Sequence, residues 1–241
     1  MNSYREFDYL NYYKNWGGES NSYLEKVTLK LIRINSYPRH QRSRIEILDI
    51  GFGVGTLLKI LTRRGFKTSG IEISEASIIK LNKELEAQKI DTNIMKGDIL
   101  ALPFSDNYFD IVVALEVLEH TVDLPRAAKE LNRVLKPGGI LIISTPYRQK
   151  IKHEKCIFCH RRTPRDGHLH SFGEEDLYNL FKEKGLKAEK TKICFSKMDR
   201  FPFLEKFYIF PFSSLLDWLD LKISNKLGIF PPYIVIKFRK I

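Results

Sequence analysis

Residues 46–145 alternate between short apolar runs of strand type and longer segments of helical periodicity. The runs are EILDI (46–50), TSGIEI (68–73), TNIMKGD (92–98), FDIVVAL (109–115) and GILIIST (139–145). Alternation of this kind is typical of parallel strands joined by helical crossovers. The middle runs are apolar throughout, as expected when helices cover both faces of a sheet. The sequence therefore predicts an α/β fold with a doubly wound sheet.

Helices are predicted at 54–64, 75–88, 124–135 and 174–186. Asp123 is a suitable N-cap for the third of them. The segment Lys136-Pro137-Gly138-Gly139 is expected to end that helix, because Pro cannot extend it and Gly tolerates a left-handed exit. Two more strands are expected from LKAEKTKICF (186–195) and PYIVIKFRK (232–240).

The 241 residues suffice for one well-buried core, and a composition of 43% hydrophobic and 29% charged residues is that of a globular protein. We predict a single domain over 1–241. Its parts are an N-terminal helical lid (1–40), a cofactor-binding core (41–195), a hydrophobic insertion (196–230) and the last strand (231–241).

A glycine-rich turn follows the first predicted strand, with Asp49 before it and glycines at 51, 53 and 55. Gly51, Gly53 and Gly55 would let the backbone turn sharply and approach a ligand closely. The pattern alone is weak, because dinucleotide-binding proteins use G-x-G-x-x-G, whose third glycine would fall at Thr56. A purely structural turn would also fit.

Two acidic residues refine this interpretation. A carboxylate at Asp49 would repel a pyrophosphate, whereas S-adenosylmethionine has no phosphate and carries an ammonium and a sulfonium. Glu72 ends the second strand, where a carboxylate can accept both ribose hydroxyls; dinucleotide-binding proteins place an acid there too. Asp49 therefore favours S-adenosylmethionine, and Glu72 supports a nucleoside of either kind.

The order of motifs resembles that of class I S-adenosylmethionine-dependent methyltransferases, particularly the small-molecule branch with ubiquinone-type O-methyltransferases. The motifs are LDIGFGVG (48–55), GIEIS (70–74), KGDILALPFSDNYFD (96–110), ALEVLEH (114–120) and LKPGG (135–139). The resemblance implies a seven-stranded, mostly parallel Rossmann-like sheet with an antiparallel last strand.

The resemblance also implies how the cofactor is held. Gly51 and Gly53 would pass beneath its methionine part, Asp49 would bind the ammonium, and Glu72 would hold the ribose. A second set would surround the adenine: Asp98 would accept from its amino group beside the Ile99 backbone, and Leu115 would line the pocket floor.

Three histidines are candidates for the catalytic base that oxygen acceptors often need, because the unperturbed pKa of His suits this role near neutral pH. His120 follows the fourth strand, and His168 and His170 lie in GHLHSF (167–172). Glu119 and His120 would equally serve as a structural pair that braces the strand end. Since methyl transfer mainly requires alignment of acceptor and sulfonium, a base is optional.

Cys156 and Cys159 form a C-x-x-C pair, with His160, His168 and His170 nearby and Cys194 on a following strand. Such a pair with histidine ligands would complete a structural zinc site. The alternative is a pair of unligated thiols beside a polar loop.

The segment after the fourth strand lacks two motifs that would indicate other classes of methyl acceptor. LEVL stands where amino-group methylases of nucleic-acid bases and glutamine carry N/D-P-P-Y/F, and no Pro-Cys pair of a cytosine C5 methylase is present. The FPPY at 230–233 precedes the last strand, where Pro suits an edge. We therefore expect a small-molecule or lipid-like acceptor, methylated at oxygen.

The segment 201–230 combines an aromatic stretch with one apolar helical face, formed by Leu215, Leu216, Leu219, Ile223 and Leu227. Such a face would pack on its own domain. The alternatives are a lid for a lipid-like acceptor that contacts an anionic membrane, and the interface of a homodimer.

The net charge of +11 would suit an anionic partner, although the basic residues are spread along the chain. An RNA or tRNA methyltransferase is therefore the alternative enzyme, without a recognisable RNA-binding module. A non-catalytic methyltransferase-like subunit is the other alternative. With no signal peptide or membrane-spanning run at hand, we expect a cytoplasmic protein, peripheral to the membrane if 201–230 contacts lipid.

Overall fold

The computed structural model describes residues 22–155, 162–164, 167–194 and 233–241. Several predicted features lie outside these residues. They are the zinc ligands Cys156 and Cys159 with His160, the first part of the N-terminal lid, and the hydrophobic insertion at 196–230.

Seven strands form one sheet in the order β3-β2-β1-β4-β5-β9-β8. Its strands are β1 (Glu46–Ile50), β2 (Lys67–Glu72), β3 (Asn93–Lys96), β4 (Phe109–Leu115), β5 (Leu135–Pro146), β8 (Leu186–Cys194) and β9 (Tyr233–Lys240). The last strand, β9, is antiparallel to both of its neighbours, and the pairs from β3 to β5 are parallel. The predicted fold class is thereby confirmed. A small ribbon of β6 (His153–Lys155) and β7 (Arg162–Pro164) stands apart from the sheet.

Five α-helices belong to the described part of the chain: α1 (Ser22–Ile32), α2 (Thr56–Arg63), α3 (Glu75–Gln88), α4 (Leu124–Val134) and α5 (Glu174–Lys182). The Ser74 side chain caps α3 by accepting from the Ser77 backbone N–H. Asp123 caps α4 as predicted, and its carboxylate accepts from the Arg126 N–H at 3.0 Å. These caps satisfy N–H groups that a helix start leaves unpaired.

The predicted stop at 136–139 belongs to β5 instead, because this strand already begins at Leu135. Phe109 pairs with Leu135 while Ile111 pairs with Ile140, so the extra residues form an irregularity within the strand. Pro and Gly are tolerated at such a bulge. Helix α5 also ends earlier than predicted, at Lys182.

The side chains of the central strands alternate between two apolar layers. Leu48 and Val112 face the layer of α4 and α5, whereas Ile47, Ile111 and Val113 face the layer of α1 and α2. Because helices cover both faces, the sheet is most open where its strands begin and where they end. Ligands of such sheets bind at the carboxyl ends of the strands. None of the described helices combines the length and apolar character needed to span a bilayer.

The loop after β3 is held against α4 by one cluster of polar contacts. The Arg133 guanidinium bonds both carboxylate oxygens of Glu130 at 2.8 Å, the Asp106 carboxylate at 2.8 Å, and the carbonyls of Leu102 and Phe104 at 2.9 and 2.7 Å. Glu130 in turn accepts from the Leu102 N–H at 2.8 Å. Since only 25% of the Arg133 side chain is exposed, water replaces these contacts poorly.

We expect Arg133→Met to lower the free energy of unfolding by about 2 kcal/mol, the range for hydrogen bonds to charged groups. Urea denaturation measures this change. Arg126→Met on the same helix is the control, because Arg126 is exposed and its Nε donates one hydrogen bond, to the Leu100 carbonyl at 2.8 Å. Equal losses in both variants would contradict the central role of Arg133.

Candidate active site

The turn after β1 requires glycine at its first position. Gly51 has φ +69°, and a Cβ built on it would lie 2.6 Å from the Val117 side chain. Its N–H donates to the Ile71 carbonyl of β2 at 2.8 Å. Gly53 has φ +53°, and a Cβ there would meet no described atom within 4 Å. The turn is therefore packed on one side and open on the other, as a ligand cradle needs.

Glu72 connects this turn to the end of β2. One carboxylate oxygen accepts from the Gly53 N–H at 3.0 Å, and the other accepts from the N–H groups of Ile73 and Ser74 at 2.8 and 3.1 Å. Burial raises the pKa of Glu72, and these three hydrogen bonds oppose the rise. The predicted ribose ligand is thus also a structural acceptor for three backbone groups.

Asp49, on the penultimate position of β1, is only 4% exposed. Burial raises its pKa well above the usual range, and the carboxylates of Glu25 and Glu72 add to the rise. A bound cation would reverse this effect, because it favours the ionised form. Asp49, the ammonium ligand expected from the sequence, is not among the residues that line the cavity at these strand ends.

A cavity of about 130 Å³ runs along the carboxyl ends of β1, β2 and β4. Its lining includes Gly51, Glu72, Asp98 and Ile99 at one end. Asp98 accepts from the Leu100 N–H at 2.9 Å, which fixes the wall there. The predicted floor residue Leu115 packs against the apolar layer of α1 and α2 instead of lining this cavity.

The residues after β4 also line the cavity: Glu116, Val117, His120, Thr121 and Val122. The loop at 167–170 closes onto this region. His120 donates from Nδ1 to the Gly167 carbonyl at 3.1 Å, and the N–H of Leu169 donates to the Glu119 carbonyl at 2.6 Å. These bonds join two segments of the sequence that are nearly fifty residues apart.

Two of the three predicted histidines lie together. The rings of His120 and His168 meet edge to face, with centroids 4.7 Å apart. His168 donates from Nδ1 to the Gln149 side-chain oxygen, and burial lowers its pKa to about 4. His170 is directed elsewhere, because its Nε2 donates to the Thr121 carbonyl at 2.8 Å.

Glu119 lies beside this pair and is fully buried. Neither of its carboxylate oxygens has a hydrogen-bond partner among the described residues. The Thr145 hydroxyl lies near enough to lower the pKa of Glu119 but does not meet hydrogen-bond geometry, and burial raises that pKa to about 8. A buried carboxylate without partners is costly unless another group compensates it.

The ligand atoms of Glu119, His120 and His168 lie within 4.8 Å of one another, so these side chains could hold a metal ion. Each histidine also has one ring nitrogen bonded to an oxygen acceptor, as metal-ligating histidines generally do. The sequence analysis considered Glu119 only as a structural partner of His120 and did not assign Glu116. The spacing E-V-L-E-H was the available signal. Cys194, a predicted companion of the zinc pair, is buried in the apolar layer of α1 and α2.

Residues 48–143 match the family model described as a methyltransferase domain. Two curated relatives align over 99 residues. The 2-methyl-6-phytyl-1,4-hydroquinone methyltransferase of Synechocystis sp. is 39% identical, over 41% of this chain and 31% of that protein. The ubiquinone biosynthesis O-methyltransferase of Coxiella burnetii is 35% identical, over 41% of this chain and 42% of that protein. The alignment thus spans less than half the length of these relatives.

Solved structures share the fold. The phosphoethanolamine N-methyltransferase 2 of Haemonchus contortus, in complex with S-adenosyl-L-methionine, has a TM-score of 0.57 at 17% identity, over 81% of this chain and 48% of that one. The [4+2]-cyclase SpnF has a TM-score of 0.60 at 20% identity, over 84% and 79%. The second likeness shows that the fold alone does not determine the reaction.

We expect Glu72→Gln to weaken S-adenosylmethionine binding by about ten-fold or more, measured by calorimetry. A side-chain amide accepts on one side only, so either the Gly53 N–H or the pair from Ile73 and Ser74 loses its acceptor, in addition to the ribose contact. Glu86→Gln, at an exposed position of α3, is the control and should bind normally. An unchanged dissociation constant in Glu72→Gln would contradict the assignment of this cavity to the cofactor.

The sheet order, the glycine turn with its acids, and the match at 48–143 agree with one another. The described residues have the fold of S-adenosylmethionine-dependent methyltransferases, and residues 48–143 match a methyltransferase domain.

Proposed function

We propose that this protein transfers the methyl group of S-adenosylmethionine to a hydroxyl oxygen of a small-molecule or lipid-like acceptor. The observation that carries the proposal is the continuity of one cavity from Glu72 and Asp98 to Glu116 and His120. A methyl donor held at the first end would direct its sulfonium toward the second. The two curated relatives, a hydroquinone methyltransferase and a ubiquinone biosynthesis O-methyltransferase, support an acceptor of this class.

In this reaction the acceptor oxygen attacks the methyl carbon in line with the breaking bond to sulfur. The chain's contribution is to align the two and to exclude water. The cavity wall supports this, because Val117 and Val122 line it next to His120. Without the cation that is proposed below, the hydroxyl proton would pass to the histidine pair, and His120 is the member that lines the cavity.

We further propose that Glu119, His120 and His168 bind a divalent cation at the acceptor end. The unpartnered, fully buried carboxylate of Glu119 is the supporting observation, because a cation would compensate it. Two histidines and one carboxylate are a common donor set for divalent metals. A bound cation would polarise the acceptor hydroxyl and lower its pKa. Gln149 and the Gly167 carbonyl would orient the two rings.

Other predictions stay open. The alternative of RNA methylation is supported by the net charge of +11, but this charge would attract any anionic partner. A non-catalytic role would be marked by a broken turn or a lost ribose acid, and both features are intact. The zinc at Cys156 and Cys159, the membrane contact or homodimer through 201–230, and the cytoplasmic location remain proposals.

Activity is tested by following S-adenosylhomocysteine formation with 3,4-dihydroxybenzoate and with a long-chain hydroquinone as probes. We expect His120→Asn and His168→Asn to lower kcat by about 100-fold, the usual scale for losing proton transfer. S-adenosylmethionine affinity should be retained. His40→Asn, on an exposed turn before β1, is the matched control. Full activity in both site variants, or methylation of carbon or nitrogen only, would overturn the proposal.

The cation is tested by calorimetry with Mn²⁺ on protein treated with EDTA and then dialysed. We expect stoichiometric binding that Glu119→Gln weakens by ten-fold or more, because the amide has no charge to offer. Glu46→Gln, which faces Lys67 at the other edge of the sheet, should bind as the wild type does. Equal affinity in wild type and Glu119→Gln would refute the cation site while leaving the methyltransferase proposal intact.

A further inference from the structure

The apolar run of β5 ends in two buried polar residues at the carboxyl edge of the sheet. Residues 140–143 are apolar and buried, and Ser144 and Thr145 follow them, each without exposed surface. Strand β5 lies between β4 and β9, so it is paired on both sides. Because a buried hydroxyl without a partner is costly, a serine in this position needs an acceptor.

Ser144 holds Glu116, the first residue after β4, through two hydrogen bonds. The Ser144 Oγ donates to Glu116 Oε1 at 2.8 Å, and the Glu116 N–H donates to the Ser144 carbonyl at 3.1 Å. Glu116 has φ +57°, a left-handed conformation that is unfavourable for a residue with a Cβ. Since Ser144 is fixed by its pairing with Val235 of β9, the two bonds stabilise this conformation.

Glu116 presents its remaining carboxylate oxygen to the cavity. The side chain is partly exposed and belongs to the cavity lining. Oε1 accepts from Ser144, whereas Oε2 has no hydrogen-bond partner among the described residues. A ligand in the cavity can therefore bond to Oε2.

The turn that carries Glu116 packs directly against the glycine turn after β1. A Cβ built on Gly51 would lie 2.6 Å from Cγ2 of Val117, the residue next to Glu116. His120, four residues after Glu116, borders the same cavity. An acceptor hydroxyl in this cavity thus meets a carboxylate as well as the histidine.

The charge on Glu116 favours a ligand that donates a hydrogen bond. Burial raises the pKa of Glu116, the charge of Glu119 adds to the rise, and the hydrogen bond from Ser144 opposes it. Hydrogen bonds to a carboxylate favour its ionised form. A second donor at Oε2 would therefore act in the same direction as Ser144, and a hydroxyl group is such a donor.

We propose that Ser144 is a positioning residue for the methyl acceptor, because it holds Glu116 so that Oε2 receives a hydrogen bond from an acceptor hydroxyl. This rests on the proposed function, which places a hydroxyl-bearing acceptor in this cavity. Glu116 is then the binding residue. Ser144 is not among the cavity-lining residues and acts only through Glu116. It is the first residue beyond the matched segment 48–143.

Steady-state kinetics with 3,4-dihydroxybenzoate and with a long-chain hydroquinone test this role. We expect Ser144→Ala to raise the acceptor KM by about five-fold, because a hydrogen bond to a charged group is lost, with kcat nearly unchanged. Calorimetry should give an unchanged affinity for S-adenosylmethionine. Ser69→Ala is the matched control, because Ser69 is a buried serine of β2 that does not line the cavity.

A double-variant cycle separates positioning from a merely structural role. Glu116→Gly removes the carboxylate and suits the left-handed backbone, and we expect it to raise the acceptor KM by about ten-fold. Adding Ser144→Ala to this variant should cause no further rise, because a residue that acts through another has no effect once that other is gone. Ser144→Cys, with a weaker donor of similar size, should give an intermediate KM and serves if Ser144→Ala does not fold.

The outcomes separate this inference from the proposed function. Wild-type protein that methylates neither probe would refute the proposed function, and this inference with it. If the wild type is active, an unchanged KM in Ser144→Ala, or losses that add up in the double variant, overturn only the role of Ser144. Weaker S-adenosylmethionine binding in Ser144→Ala would assign Glu116 to the cofactor and also overturn it.

Discussion

The Glu72 carboxylate holds two loops of the cofactor site in one arrangement. The glycine turn after β1 and the loop after β2 each leave backbone N–H groups at the carboxyl edge of the sheet, and Glu72 accepts from both loops. Without a shared acceptor, these buried donors would need separate partners. The cradle is therefore formed before any ligand arrives, and a ligand pays less ordering entropy when it binds.

The same edge concentrates negative charge. Asp49 and Glu72 lie at its cofactor end, and Glu116 and Glu119 lie at its other end, where burial raises the pKa of both. A cluster of buried acids costs stability in the empty protein, because carboxylates lose hydration without gaining cations. Such a cost at the ligand-binding edge is typical of functional sites, where groups are placed for a ligand rather than for the fold.

The sequence was most informative where the chemistry is local. The strands at 46–50 and 109–115 and the helix at 75–88 were predicted with the observed bounds, because apolar runs and helical periodicity mark them. The places of the glycine turn and of Glu72 were predicted as well, because each lies at the end of a predicted strand. The helix before 136–139 ends at Val134, within one residue of the predicted end, but the sequence did not show that the Pro and Gly residues form a bulge inside the following strand.

Contacts between distant segments could not be read in this way. The meeting of His120 with His168, and the unpartnered state of Glu119, depend on how the loop at 167–170 packs on the turn after β4. Sequence spacing carries no information on this packing, because it joins residues more than forty positions apart.

The hydrogen bonds between the loop at 167–170 and the turn at 118–120 divide the site along the chain. The matched segment ends at residue 143, yet Gln149 and His168 come from beyond it. Substitutions after residue 143 can therefore change the surroundings of His120 without touching the glycine turn or Glu72, because the loop at 167–170 reaches the turn at 118–120 through its own backbone groups.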